Sequence, residues 1–203
     1  MHKKLMGVGL LAASTVFAFH PIERLDEVNQ TKVGIQKDVV QNNGSLVGDE
    51  SKLPINRMPI TLVETIDGDT IKAKVKGSFE TIRYLLVDTP ESKNPRMCVQ
   101  PYAREAFQRN NELVREGGLT LELEQGDTRD SYGRLLAYVY VDGKSVQETL
   151  LTEGYARVAY VMNPPYKYLP QYTTDESLAK RRGVNIWSRT GFVTNWGFRG
   201  CVP

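Results

Sequence analysis

Three carboxylates and two guanidiniums fall in three short islands of this chain: Asp69 in Ile66-Asp67-Gly68-Asp69-Thr70, then Arg83, Asp88 and Glu91 in Ile82-Arg83-Tyr84-Leu85-Leu86-Val87-Asp88-Thr89-Pro90-Glu91, and Arg134 in Asp130-Ser131-Tyr132-Gly133-Arg134. Carboxylates joined by hydroxyl and backbone oxygens are the ligands that a hard cation such as Ca²⁺ or Mg²⁺ takes. Two fixed guanidinium forks answer the charge that builds on a phosphoryl group in its transition state. The combination points to metal-assisted cleavage of a phosphodiester.

Each position also has a plainer reading. Asp67 and Asp69 flank a glycine in a turn, where Asp is common because its side chain bonds the nearby backbone; Asp67 is read as that and nothing more. Asp88-Thr89-Pro90-Glu91 follows an apolar run and, in isolation, reads as a strand-end turn. Its Pro holds Thr89 extended and fixes the direction of the Thr89 carbonyl, which suits a backbone oxygen ligand beside two carboxylates. Arg83 lies among Ile82, Tyr84, Leu85 and Leu86, so it must point outward or reach a partner, because burying it unpaired is costly. Arg83 and Arg134 each also fit a structural ion pair with Asp88 or Glu91.

Histidine narrows the chemistry. The two in the chain, His2 and His20, precede the domain described below, which leaves no imidazole there for acid–base work or zinc. Cys98 and Cys201 are too few for a thiolate zinc site. Proton handling falls to Glu, Asp, Tyr or an Arg-linked water. From Pro59 to the C-terminus 19 Lys and Arg face 18 Asp and Glu, a net charge of +1 that lacks the broad basic footprint of a nucleic-acid binder. A polyanion would have to be drawn by a local site and its cation.

The elements that position these residues begin after two leading segments. Residues 1–18 read as a signal peptide: His2-Lys3-Lys4, an apolar run from Leu5 to Phe19 and a small-residue site ending at Ala18. That run is shorter than the ~20 residues a membrane-spanning helix needs. Residues 19–58 are polar and aperiodic from His20 on and read as a propeptide or flexible spacer. The domain, 59–188, offers strand patterns over Ile60–Ile66, Thr70–Val75 and Phe79–Val87, a helix from about Tyr102 to Glu116, then strands over Leu119–Glu124 and Arg134–Val141. A capping box at Ser145 and Glu148 opens a second helix, and Thr173 with Glu176 offers a start for a third, ending near Gly183. The expectation is a mainly β, α+β fold: a five-stranded OB-fold barrel with about three helices against it. Residues 189–203 form a C-terminal tail.

These motifs, together with Ala156-Arg157-Val158-Ala159-Tyr160 and Asn185-Ile186-Trp187-Ser188, occur in the order seen in staphylococcal nuclease, and the chain from Pro59 to Ser188 resembles that thermonuclease family. The resemblance implies a Ca²⁺-dependent endonuclease that cleaves DNA and RNA to 3′-phosphate products. Carried over by position, Asp69 and Asp88 match carboxylate ligands of Ca²⁺ and Thr89 a carbonyl ligand. Glu91 matches the residue that holds or deprotonates the attacking water, Arg83 and Arg134 the phosphate-bracing guanidiniums, and Tyr132 and Tyr160 tyrosines of the nucleotide pocket. Two departures bear on substrate affinity: Ser131 stands where the family has a Lys, and Met162 where it has a second pocket Tyr. The tail beyond Ser188 has no assigned counterpart.

Partners are therefore expected to be DNA and RNA, with no stable protein partner, on a secreted monomer; retention at the membrane by an uncleaved signal is the other placement. A secreted chain with two cysteines pairs them more often than not, so a Cys98–Cys201 disulfide is expected to fasten the tail and restrain the segment beside Glu91. The rival function is a non-catalytic OB-type module that binds nucleic acid or protein, which has no need of this charge set.

Overall fold

The strands turn apolar side chains onto a common core, and the barrel follows from how those faces close. The computed structural model describes residues 56–93 and 98–202, which fall in one compact unit; the expected signal peptide and nearly all of the expected spacer lie outside the described residues. Strands β1 (Arg57–Thr65), β2 (Thr70–Val75) and β3 (Ser78–Tyr84) form the expected meander. β1 starts at Arg57, two residues before the expected domain start, because Arg57 and Met58 pair with Glu122 and Leu121. A register shift between Leu62 and Glu64 marks a bulge in β1, the kind of irregularity that bends a strand around a barrel.

The expected run Phe79–Val87 is not one strand. Leu86 has φ 66, a left-handed backbone, so β3 ends at Tyr84 and the two-residue β4 (Val87–Asp88) turns away. After helix α1 (Ala103–Leu113), β5 (Leu119–Glu122) pairs with β1, and β6 (Leu135–Val141) pairs with β5. A parallel pairing of β6 with β3, Ile82 with Leu135 through Tyr84 with Ala137, closes five strands into the barrel. The short β7 (Lys144–Ser145) extends from β6, and β8 (Arg157–Val158) lies antiparallel to β4, Asp88 opposite Arg157.

Ile71, Ala73, Ile82, Leu121, Ala137 and Val139 are wholly buried in the core, where each buried Leu or Ile contributes ~1.5–3 kcal/mol. Helix α2 (Val146–Thr152) covers it with Leu150 and Leu151, and its Ser145 cap accepts the Glu148 N–H at 3.2 Å, as the capping box requires. The second box does not form. Helix α3 (Leu169–Arg182) starts four residues before Thr173, with Pro170 in its first turn. Thr173 donates back to the Leu169 carbonyl, while Glu176 accepts the Val158 N–H and anchors β8. Ile186, wholly buried in a short turn of 3-10 helix (Asn185–Trp187), closes the domain.

The tail is ordered into a hairpin, β9 (Val193–Thr194) and β10 (Gly197–Phe198), and Cys201 is bridged to Cys98 as expected. Spanning 103 residues, such a bridge stabilises by about 4.7 kcal/mol in the chain-entropy account.

One contact fixes the turn between β1 and β2 against α1. Tyr84 is buried and donates its hydroxyl to Asn110 Oδ1 at 2.7 Å, and Asn110 donates to the Asp67 carbonyl at 2.8 Å. Gly68 lies so close that a Cβ there would meet Thr89 Oγ1 at 2.5 Å and Ala106 Cβ at 2.9 Å. Gly68→Ala is therefore expected to destabilise by about 1–3 kcal/mol, as overpacking does, read from the urea midpoint; an unchanged midpoint would show that this approach tolerates a methyl group.

Candidate active site

The break after Tyr84 shapes the site. Arg83, 7% exposed, is held by its Nη1, which donates to the Tyr84 carbonyl at 3.0 Å and the Val87 carbonyl at 2.8 Å. Its Nη2 lies 3.0 Å from Asp69 Oδ2 and 3.5 Å from Asp88 Oδ1. So one nitrogen faces both carboxylates expected to bind metal. Asp69 Oδ2 also accepts the Thr89 N–H at 2.9 Å and the Thr89 hydroxyl at 3.2 Å, and its Oδ1 accepts from the Thr70 hydroxyl at 3.0 Å.

Asp67, Asp69, Arg83, Asp88, Thr89, Glu91, Arg134 and Tyr160 line, with Pro90, a pocket of about 120 Å³. A larger cleft of about 470 Å³, near Arg57, Lys144, Glu148 and Asp175, contains none of the expected residues and mixes both charge signs. The small pocket gathers the expected charged residues.

The fit to a hard cation rests on its donors. Among the described residues no three Asp, Glu, His or Cys side chains converge as a ready metal cage. Asp69 and Asp88 share one cationic nitrogen, and a cation held between them would complete its shell with backbone oxygen and water, the arrangement Ca²⁺ accepts. Positive charge is short there. Burial, then repulsion from Asp69, pushes the Asp67 carboxyl up to about 7. Burial and Asp69 also raise Asp88, against the pull of Arg83 and Arg157. Burial works against the Arg83 charge, but Asp69 and Asp88 more than compensate, and it stays protonated.

The other expected residues are less tightly gathered. Arg134 reaches the pocket's edge, where it makes an ion pair with Asp130, Nε to Oδ2 at 2.7 Å. This follows from its turn, where Asp130 Oδ1 also accepts the Arg134 N–H. Tyr160 is 60% exposed; its hydroxyl stands 3.5 Å from Asp88 Oδ1 and its ring centroid 5.3 Å from the Arg83 guanidinium. Tyr132 is 85% exposed beside Arg134, and Met162 is exposed as well. Glu91 accepts the Lys93 N–H on its carboxylate at 2.8 Å.

Two residues carry more than the sequence reading gave them. Asp67 does form the turn, accepting the Asp69 N–H at 3.1 Å, but it also lines the pocket. Arg157 is buried and its Nε donates to Asp88 Oδ2 at 2.9 Å, which makes it the second cation on that carboxylate. Its sequence signal is partial: like Arg83, it is an arginine among apolar neighbours, here Ala156 and Val158, but its partner comes from a distant strand.

Comparison with known proteins agrees with this architecture. The staphylococcal nuclease homologue family matches residues 81–189, and the chain belongs to that family. It is 62% identical over 143 residues to endonuclease YncB of Bacillus subtilis (strain 168), covering 70% of this chain and 68% of that protein. It is 60% identical to the SPbeta prophage-derived endonuclease YokF of the same organism over 143 residues, 70% of this chain but 48% of YokF, so the chain spans about half of that relative. With the thermonuclease of Staphylococcus hyicus it shares 35% over 133 residues, 66% of this chain and 78% of the other. Asp69 and the hairpin β9–β10 fall outside the stretch matched by the family.

The Asp67 shift makes a pH prediction for metal-free protein. Native Asp67 keeps its proton up to about 7, whereas the unfolded carboxyl loses it near 3.8. Between those values the native state binds more protons than the unfolded, so stability falls as pH rises through that window. Asp67→Asn keeps an acceptor for the Asp69 N–H and removes the charge. In chelator it is expected to raise the melting temperature at pH 8 and to give no gain at pH 3.5; an equal gain at both would show that the carboxyl is not held protonated.

Proposed function

We propose that this chain is a Ca²⁺-dependent endonuclease that hydrolyses phosphodiester bonds of DNA and RNA to 3′-phosphate products. The observation that carries the reading is the placement of Asp69 and Asp88 on the one Nη2 of buried Arg83, inside a pocket with Glu91 and Arg134 at hand. Membership of a family whose named relatives here are endonucleases and thermonucleases supports it.

Asp69, Asp88 and the Thr89 carbonyl would hold Ca²⁺, which supplies Lewis-acid polarisation of a nonbridging phosphate oxygen. Arg83 keeps its Nη1 on two backbone carbonyls, so its plane is fixed, and its Nη2, which faces Asp69 and Asp88, would also meet a phosphate bound beside those carboxylates. Arg134, partly exposed at the rim and tied to Asp130, would brace the phosphate by turning toward it. As negative charge grows on the equatorial oxygens both guanidiniums bond more strongly, which lowers the barrier more than it tightens ground-state binding. Glu91 orients a water for in-line attack and takes up its proton. The bond from phosphorus to the 5′ oxygen breaks, that oxygen leaves as the alcohol after receiving a proton from water or Arg134, and the phosphate stays on the 3′ side. Exposed Tyr132 and Tyr160 offer ring faces to the flanking nucleotides.

Export fits the same account. The leading segment reads as a signal peptide, and the solvent-exposed Cys98–Cys201 bridge belongs in an oxidising compartment. The protein would then act outside the cell as a monomer on nucleic acid.

Purified protein is expected to degrade single-stranded DNA and RNA in Ca²⁺, to stop in chelator, and to work poorly in Mg²⁺, whose tight octahedral demand two carboxylates serve badly. Undiminished cleavage in chelator would defeat the metal assignment. Arg83→Lys keeps charge but cannot hold two carbonyls and a phosphate at once, and is expected to lose ~10²-fold or more in kcat. Binding of DNA with no cleavage under any metal would favour the non-catalytic module instead.

A further inference from the structure

Glu91 is held by a residue outside the charge cluster. Gln100, 5% exposed, takes both backbone groups of Glu91: its Oε1 accepts the Glu91 N–H at 2.7 Å, and its own N–H donates to the Glu91 carbonyl at 3.0 Å. The remaining side-chain donor of Gln100, Nε2, bonds the Phe198 carbonyl at 3.0 Å. Phe198 belongs to the C-terminal hairpin β9–β10. Two further ties attach the chain just beyond that hairpin beside Gln100: the Cys98–Cys201 bridge, and the Val202 N–H on the Val99 carbonyl at 2.8 Å. The hairpin also meets the other carboxylate of the site, since Arg157, which holds Asp88, has Nη1 3.5 Å from the Asn195 carbonyl and its guanidinium 5.7 Å from the Phe198 ring centroid.

We propose that Gln100 is a positioning residue for Glu91, that the C-terminal hairpin holds Gln100 in that role, and that the Cys98–Cys201 bridge keeps the hairpin seated, so that the dithiol form is a slower enzyme than the disulfide form. The inference rests on the nuclease reading of Glu91 and extends it to control by redox state. An amide side chain with its acceptor on Glu91 and its donor on Phe198 has one orientation that satisfies both. Without the hairpin the donor end loses its partner, the side chain can turn, and the Glu91 N–H loses its acceptor. The carboxylate that must aim a water is then carried on a looser backbone, and misplacement by about 1 Å is enough to slow an oriented reaction substantially. The expected defect is in turnover, because the residues that bind phosphate and nucleobase lie on β3, the Tyr132 turn and the segment after β8, none of which hangs from Gln100.

The test compares oxidised protein with protein whose bridge has been reduced, together with two variants. Dithiothreitol passes two electrons to the disulfide, giving two cysteine thiols and the cyclic disulfide of the reagent; iodoacetamide then caps the thiols. Gln100→Glu keeps an acceptor for the Glu91 N–H and loses the donor to Phe198. Gln100→Met, of similar length, loses both. On a single-stranded oligonucleotide in Ca²⁺, kcat is expected to fall in the order wild type, Gln100→Glu, Gln100→Met, with about tenfold lost in the last, the cost of one hydrogen bond at the reacting geometry; KM should stay within about twofold. Reduction should cost the wild type that factor or more, because the hairpin also touches Arg157, and should cost Gln100→Met less than it costs the wild type, since the two changes share the Gln100–Phe198 contact. Independently of activity, amide hydrogen exchange at Glu91 in metal-free protein should quicken in the same order while the barrel amides of Ile71 and Val139 stay protected. Unchanged kcat and unchanged Glu91 protection after reduction would overturn the proposal, as would losses from reduction and Gln100→Met that multiply, or a loss of protection spread through the barrel. A wild type that cleaves nothing would defeat the nuclease reading, and the exchange pattern would then decide alone whether the hairpin positions Glu91.

Discussion

A buried guanidinium sets the terms for this site. Arg83 is almost wholly removed from water, and an unpaired charge there would cost several kcal/mol. Its donors are distributed over four acceptors: the carbonyls of Tyr84 and Val87, and the carboxylates of Asp69 and Asp88. The carbonyl of Val87 comes within reach because the chain turns back at Leu86, and the carboxylate of Asp69 because the β1–β2 turn is drawn in by Asn110 and packed under Thr89. Removing any of these features leaves a buried donor or acceptor without its partner.

The same bonds leave the pocket rich in carboxylate. Asp67, Asp69, Asp88 and Glu91 line it against Arg83 and Arg134, with Arg157 buried beside Asp88. Burial, with repulsion from Asp69 added to it, raises the proton affinity of Asp67 and Asp88. On the proposed reading, a divalent cation would offset the carboxylate charge and would at the same time give a nearly neutral domain its attraction for a polyanion. Metal affinity and substrate affinity would in this sense be one property of the pocket.

Much of this was legible from residue types and spacing. The alternation of Leu119-Thr120-Leu121-Glu122 and the Ser145 capping box led to the right elements, and an arginine inside an apolar strand correctly required a partner. The break at Leu86 was not legible, because Leu85-Leu86-Val87 continues the apolar run and a left-handed leucine leaves no mark in sequence. Thr173 and Glu176 have capping-box spacing but sit within a helix already started at Leu169, and their side chains are used elsewhere. Asp67 reads from sequence as a turn residue alone, since its second environment arises from strands distant in sequence. Gln100 and Arg157 acquire their roles only when the hairpin and β8 are folded against the site. Local chemistry could be read directly, then, while the contacts that tune it are tertiary.

The central claim is that Asp69 and Asp88, balanced on Arg83, form a cation site, and calorimetric titration of chelator-stripped protein with Ca²⁺ at neutral pH measures it most directly. The account predicts one Ca²⁺ per chain, with affinity weakened at least about tenfold when either carboxylate is neutralised as Asp69→Asn or Asp88→Asn, in line with the loss of a charged ligand from a two-carboxylate site. Wild-type protein that takes up no Ca²⁺, or both variants binding it as tightly as wild type, would contradict it.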